Sequence, residues 1–211
     1  MDNKIQAERN YKDTVFKMLF SNKENLLELY YGINGTNYTD ADDIRINTLE
    51  NAVYMNVKND VSYVFRFEIN IYEHQSTLNP NMPLRNLFYV SRLLESEIEE
   101  NKKINERILY EKKLVKIPTP KFIVFYNGLT DTEDIFEHKL SDAYIAETKN
   151  PELELKVTVL NINIGKNKEL MEHCKTLYEY SLFVSIIREI LKFKNKKYRR
   201  RNKKCCRILY R

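Results

Sequence analysis

The sequence has no tryptophan, only four glycines and five prolines, and few residues of the kind that make linkers. That excludes a collagen-like or low-complexity chain and leaves a compact body as the expectation. Its three cysteines, Cys174 and the adjacent pair Cys205 and Cys206, supply neither a disulfide framework nor a CxxC metal knuckle. The three histidines, His74, His138 and His173, are too scattered to complete a zinc site with them. No apolar run reaches the roughly 18 residues that a membrane-spanning helix needs. The opening Met1-Asp2-Asn3-Lys4-Ile5-Gln6 lacks the apolar centre of a signal peptide. The expectation is a cytoplasmic protein with no membrane partner.

What is present fits one domain: 211 residues, 43% of them hydrophobic, can bury a sizeable core but not two. The net charge of +5 conceals an asymmetry. Eleven of the 35 Lys and Arg lie between Lys192 and Arg211, where there is no acid, which leaves 24 basic against 30 acidic residues in positions 1–191, a net of −6. The body is acidic, so an electrostatic argument about nucleic acid has to name the tail or a local patch.

Apolar residues Val15, Phe16, Leu19, Phe20, Leu26, Leu27 and Tyr30 recur at helical spacing from Arg9 to about Tyr31, with a break near Ser21-Asn22 and an end at Gly32-Ile33-Asn34-Gly35. An irregular acidic stretch, Asp40 to Asp43, follows. From Ala52 to Gln75 the β-branched and aromatic residues predict two or three antiparallel strands. Leu84, Leu87, Phe88, Leu94 and Ile98 give a second helix, with Phe88 and Tyr89 assigned to the core. Lys121 to Tyr126 is almost wholly apolar and reads as a central strand, while the alternation from Leu153 to Ile164 predicts a half-exposed one. A last helix is expected from about Lys168 to Lys192. The fold class is α/β, a mixed sheet flanked by helices.

Asp60 stands at the start of one predicted strand and Glu73 near the end of the next. Paired residues of an antiparallel hairpin share one index sum, so a tight turn at Arg66-Phe67 sets the two carboxylates face to face, with Cα atoms about 5 Å apart. Arg66-Phe67 is not the Asn-Gly or Gly-X that such a turn prefers, and a looser turn over Arg66 to Asn70 still brings them close. Two carboxylates at that distance repel unless a cation lies between them. An all-oxygen site suits Mg²⁺ or Mn²⁺, which polarises a phosphoryl oxygen and activates water, the equipment of a phosphodiesterase. Gln75 shares a strand face with Glu73 and can orient water or touch a phosphate, while His74 points away. The plainer alternative has Asp60 capping a strand, Glu73 paired with a lysine and Gln75 solvated. A short motif alone does not separate the two.

The strings Asn59-Asp60-Val61-Ser62, Tyr72-Glu73-His74-Gln75-Ser76-Thr77 and Asn79-Pro80-Asn81-Met82-Pro83-Leu84-Arg85, with Tyr89, resemble the bacterial Rpn family of recombination-promoting nucleases and transposases. Asp13-Thr14-Val15-Phe16-Lys17, Ile117-Pro118-Thr119-Pro120 and Phe125-Tyr126-Asn127-Gly128 extend the resemblance over about residues 9 to 190. It implies a restriction-endonuclease-like PD-(D/E)XK domain, here residues 1–191, built on a four-stranded mixed sheet. It also implies metal-dependent hydrolysis of DNA and a role in recombination linked to mobile elements. Asp60 and Glu73 take the family's metal-binding positions, and Gln75 replaces the lysine of the wider superfamily. A neutral amide cannot offset developing negative charge, so a cation is expected from elsewhere, with Arg85 the candidate and a surface ion pair the rival reading. Asp13 is either an auxiliary carboxylate or a helix N-cap.

The resemblance stops before the tail. Residues 192–211 read as a disordered basic segment, either the remnant of a truncated or frameshifted copy or an arm that binds phosphates by counterion release. The alternative function is accordingly an inactive remnant that binds nucleic acid through this tail. Cutting both strands requires two sites, so a homodimer is an expectation from mechanism.

Overall fold

The computed structural model describes residues 2–36, 40–47, 60–100 and 109–209. Alternation along β3 (Glu68–Gln75) divides its side chains between two faces, and helices cover both. Tyr72 packs with Phe16, Phe125 and Tyr180 on one face, whereas Ile69 and Ile71 pack with Tyr89, Val90 and Leu93 on the other. The first face is covered by α1 (Asp2–Phe20), α2 (Lys23–Asn34), α4 (Lys168–His173) and α5 (Lys175–Leu209), the second by α3 (Met82–Glu100).

Among the described residues six strands form one mixed sheet, in the order β1-β2-β3-β4-β6-β5, with β1 (Ile44–Ile46), β2 (Val61–Phe65), β4 (Thr119–Tyr126), β5 (Ile135–Lys139) and β6 (Lys156–Asn161) around β3. β1, β2 and β3 are antiparallel neighbours; β3, β4 and β6 run parallel, and β5 closes the edge antiparallel to β6. β4 is central, as its apolar run implies, but the sheet has two strands more than the four expected. Residues 53, 54 and 57, counted among the strand formers, lie outside the described residues.

The helix break expected near Ser21-Asn22 is present. The side chain of Asn22 accepts from the Asn25 backbone N–H at 3.0 Å and so caps α2. Gly35, at φ 64°, ends it by donating its N–H to the Tyr31 carbonyl at 2.8 Å. Asp13 is seven residues inside α1 from Phe20 and far from its start, so it is not an N-cap. The phase of α3 also differs from expectation. Met82, Asn86, Tyr89, Val90 and Leu93 are buried, whereas Leu84 and Phe88 are 39% and 42% exposed. Tyr89 belongs to the core and Phe88 does not. β6 keeps the expected alternation at its start, where Lys156 is exposed and Thr158 half-buried beside the buried Val157 and Val159, and is buried on both faces from Val159 to Asn161. After a break at Cys174, α5 runs to Leu209, so the tail continues as helix where an irregular segment was expected. No helix among the described residues is long and apolar enough to cross a membrane.

The β2–β3 turn is the tight one. Phe65 pairs with Glu68, leaving Arg66 and Phe67 as its two central residues. Arg66 takes φ 55°. A positive φ at the first central position is the pattern of a II′ turn, which favours glycine there because a Cβ is strained in that region. Arg66→Gly is therefore expected to stabilise the protein by about 1 kcal/mol. A chemical denaturation midpoint that falls would contradict this reading of the turn.

Candidate active site

The hairpin register sets the first geometric fact of the site. Val61 pairs with Tyr72, so Asp60, one residue before β2, stands opposite Glu73. Both carboxylates are 12% exposed. Asp60 accepts from the His74 backbone N–H through Oδ2 at 2.7 Å and pairs with Lys17 Nζ through Oδ1 at 2.9 Å. Glu73 Oε1 receives Arg85, from the first turn of α3, at 3.0 Å. Burial, then the charge of Asp60, push Glu73 up to about 7, against the pull of Arg85 and Lys17. Burial disfavours the charge of Lys17, but the hydrogen bond and charge of Asp60, with Glu73 and Asp13 behind it, hold its pKa above the ordinary value.

A second network fixes the strand from the opposite face. His74, buried between β3 and the helices, meets Asp13 Oδ1 with Nδ1 at 2.8 Å and the Tyr180 hydroxyl with Nε2 at 2.9 Å. It joins α1, β3 and α5 in one chain of contacts. Phe16 is fully buried beside it, with ring centroids 5.2 Å from His74, 5.3 Å from Phe125 and 5.6 Å from Tyr180. Burying such a ring stabilises by about 3 kcal/mol, enough to fix the helix that carries Lys12, Asp13 and Lys17. Asp13 thus orients His74, whose backbone N–H in turn holds Asp60.

Gln75 ends β3 on the Glu73 side of the sheet and lines a cleft of about 1000 Å³ together with Lys12, Asp13, Glu73, Arg85 and Arg188. The residue is 7% exposed, and its side-chain amide has no protein hydrogen-bond partner among the described residues. The cleft opens at the carboxyl ends of the parallel strands β3 and β4, where Asn127 donates its N–H to the Gln75 carbonyl at 2.8 Å. Open α/β sheets bind ligands in this position.

Of the residues singled out in the sequence, Asp60, Glu73, Gln75 and Arg85 come together around the end of the hairpin, and Asp13 joins them through His74. Lys12, Lys17, Tyr180 and Arg188 were not anticipated as site residues. The helical spacing of Tyr180, Val184 and Arg188, four apart along one face of α5, carries a signal for the last, since it extends a buried row to a cation.

The donor set can be tested against a metal. No group of three or more His, Cys, Asp and Glu that could hold an ion occurs among the described residues. Two opposed carboxylates held by displaceable ammonium and guanidinium groups fit an ion that binds one or two carboxylates and keeps its waters, as Mg²⁺ does. They do not fit zinc, whose sites draw three or four protein ligands and rely mainly on histidine and cysteine. No family model, no curated protein and no solved structure matches the chain.

The raised pKa of Glu73 has a consequence for stability. Folded Glu73 holds a proton that the unfolded chain releases near its ordinary 4.5, so stability falls as pH rises from there to about 7 and stays lower above it. In EDTA at about pH 8, Glu73→Gln should be more stable than wild type, by up to about 3 kcal/mol, and the gap should close at about pH 4. Parallel stability profiles for the two proteins would show that Glu73 carries no such strain.

Proposed function

We propose that this protein is a Mg²⁺- or Mn²⁺-dependent DNA endonuclease with a restriction-endonuclease-like PD-(D/E)XK domain. The observation that carries the reading is the opposition of Asp60 and Glu73 across the β2–β3 hairpin, with Gln75 two residues on in a cleft at the strand ends. The topology supports it: an antiparallel β1–β2–β3 meander delivers these residues beside the parallel strands β4 and β6, between helical layers. The resemblance to the Rpn family supplies the substrate, DNA, and the biological setting of recombination by mobile elements.

Asp60 and Glu73 would hold the ion, and when bound it supplies positive charge to a phosphoryl oxygen in the transition state. The chain's own residues do the rest. The His74 backbone N–H fixes one oxygen of Asp60, leaving the other in exchange with Lys17. Arg85 holds Glu73 in the resting protein and, once released, presents a guanidinium to the cleft. Gln75, with an unengaged amide, aligns water or a non-bridging phosphate oxygen. The low exposure of Asp60 and Glu73, 12% each, strengthens the contacts these two carboxylates make. Cleavage of both strands requires two such sites, which makes a homodimer on DNA the expected assembly.

A second reading has one observation in its favour: α5 continues to Leu209 and carries ten of the eleven basic residues of 192–211. Such a helix could grip nucleic acid without catalysis. Supercoiled plasmid separates the readings. Wild type should nick it with Mg²⁺ or Mn²⁺ and not in EDTA, and Asp60→Ala and Glu73→Ala should each lower the rate by at least about 100-fold. Cleavage at the wild-type rate by either variant contradicts the site. Retention of DNA without cleavage by wild type leaves the binding role.

A further inference from the structure

Lys12, Lys17, Arg85 and Arg188 stand around the site, and they differ in what they touch. Lys17 and Arg85 each contact a carboxylate. Lys12 and Arg188 do not. Lys12 Nζ lies 3.4 Å from the Ser76 hydroxyl and 3.5 Å from the Asn127 carbonyl oxygen. Arg188 donates to the same Asn127 carbonyl through one nitrogen and to Asn163 Oδ1 through another, at 2.8 Å. Every one of these partners is neutral. Asp13, next to Lys12 in the chain, is turned to His74.

Two cations thus converge on one carbonyl oxygen inside a cleft, with no carboxylate among the described residues ion-paired to either. Burial, and then the charge of Arg188, pull Lys12 down to about 8, while Asp13 acts in the opposite direction. Burial likewise lowers Arg188. Uncompensated charge of this kind destabilises the free protein, and an anion placed between the two groups relieves it. The arrangement is also held in place. The Asn163 side chain donates to the Gly128 carbonyl at 3.1 Å, which steadies the acceptor of Arg188. Ser76 directly follows Gln75 at the end of β3, so the two cations stand one residue beyond the amide that faces the cleft.

We propose that Lys12 and Arg188 form a phosphate-binding subsite that takes a backbone phosphodiester of the nucleic acid adjacent to the one presented to Glu73 and Gln75. This rests on the nuclease reading for the identity of the strand, but not for the subsite's affinity for an anion. A guanidinium forks onto two phosphate oxygens, and an ammonium adds a third contact as a point charge. Neither interaction needs a metal. The subsite would set the register of the strand in the cleft and supply the positive charge that the acidic body otherwise lacks.

The test is binding of a fluorescein-labelled DNA duplex to the full chain in EDTA, by anisotropy across a salt series, with plasmid cleavage in Mg²⁺ measured in parallel. Lys12→Gln combined with Arg188→Gln should weaken binding at least 10-fold and reduce the slope of log affinity against log salt by about 2, since each neutralised phosphate contact contributes about 0.9. Lys12→Gln alone should reduce the slope by about 1 and Lys12→Arg should restore it, which keeps the test valid if the double variant melts early. Wild-type affinity and slope in Lys12→Gln and in a folded double variant would overturn the subsite, whether or not wild type cleaves. A lowered slope with no cleavage by wild type would support the subsite and remove the nuclease reading instead.

Discussion

Two carboxylates held opposite each other across a tight hairpin are the constraint on which the rest of this site depends. The β2–β3 register leaves Asp60 no alternative to facing Glu73, and burial removes the water that would screen them. The resting protein manages the conflict in two ways. It places Lys17 and Arg85 against the acids, and it raises Glu73 to about 7 so that one acid can be neutral. A divalent cation resolves the same conflict without a proton. The scaffold behind the pair makes this geometry rigid: His74 ties β3 to α1 through Asp13 and to α5 through Tyr180, and Phe16 fills the space beside it.

The charges around the cleft fall into two kinds with different work to do. Lys17 and Arg85 neutralise acids and, on the proposed function, are the groups that a metal ion would displace. Lys12 and Arg188 rest on a carbonyl, a hydroxyl and an amide, and so keep their charge for a ligand. This arrangement accounts for how a body with a net charge of −6 over residues 1–191 could accept a polyanion, and it does so without relying on the basic end of α5. It also bears on Gln75. On the proposed nuclease reading, the lysine that the resemblance would place at Gln75 is offset by cations brought from α1, α3 and α5, each by a helix packed on the sheet.

The hairpin was legible in the sequence because strand periodicity is rigid: once Arg66-Phe67 is the turn, the pairing of every residue follows. The same rule placed Glu73 and Gln75 on one face and His74 on the other. Short or exposed elements were not legible. β1 is three residues long, and β5 has only Phe136 and His138 half-buried between exposed neighbours, so neither produces an apolar pattern that stands out. In α3, Leu84 and Phe88 gave a helical period of the right length but the wrong phase, because the true core row includes Asn86 and begins at Met82. The cationic groups were hidden for a different reason. Lys12 and Arg188 come from the two ends of the domain and meet only because Phe16 and Tyr180 pack α1 and α5 on the same sheet face.

Calorimetric titration of Mn²⁺ into the metal-free protein tests the central claim most directly, with wild type compared to Asp60→Asn and Glu73→Gln at about pH 6.5, where a Glu73 of pKa about 7 is largely protonated. Repeating the titration in buffers of different ionisation enthalpy counts the protons released. The account predicts binding by wild type with release of a fraction of a proton from Glu73, and loss of that binding in both variants. Undiminished binding of Mn²⁺ by Asp60→Asn and Glu73→Gln, with the same proton release, would contradict it.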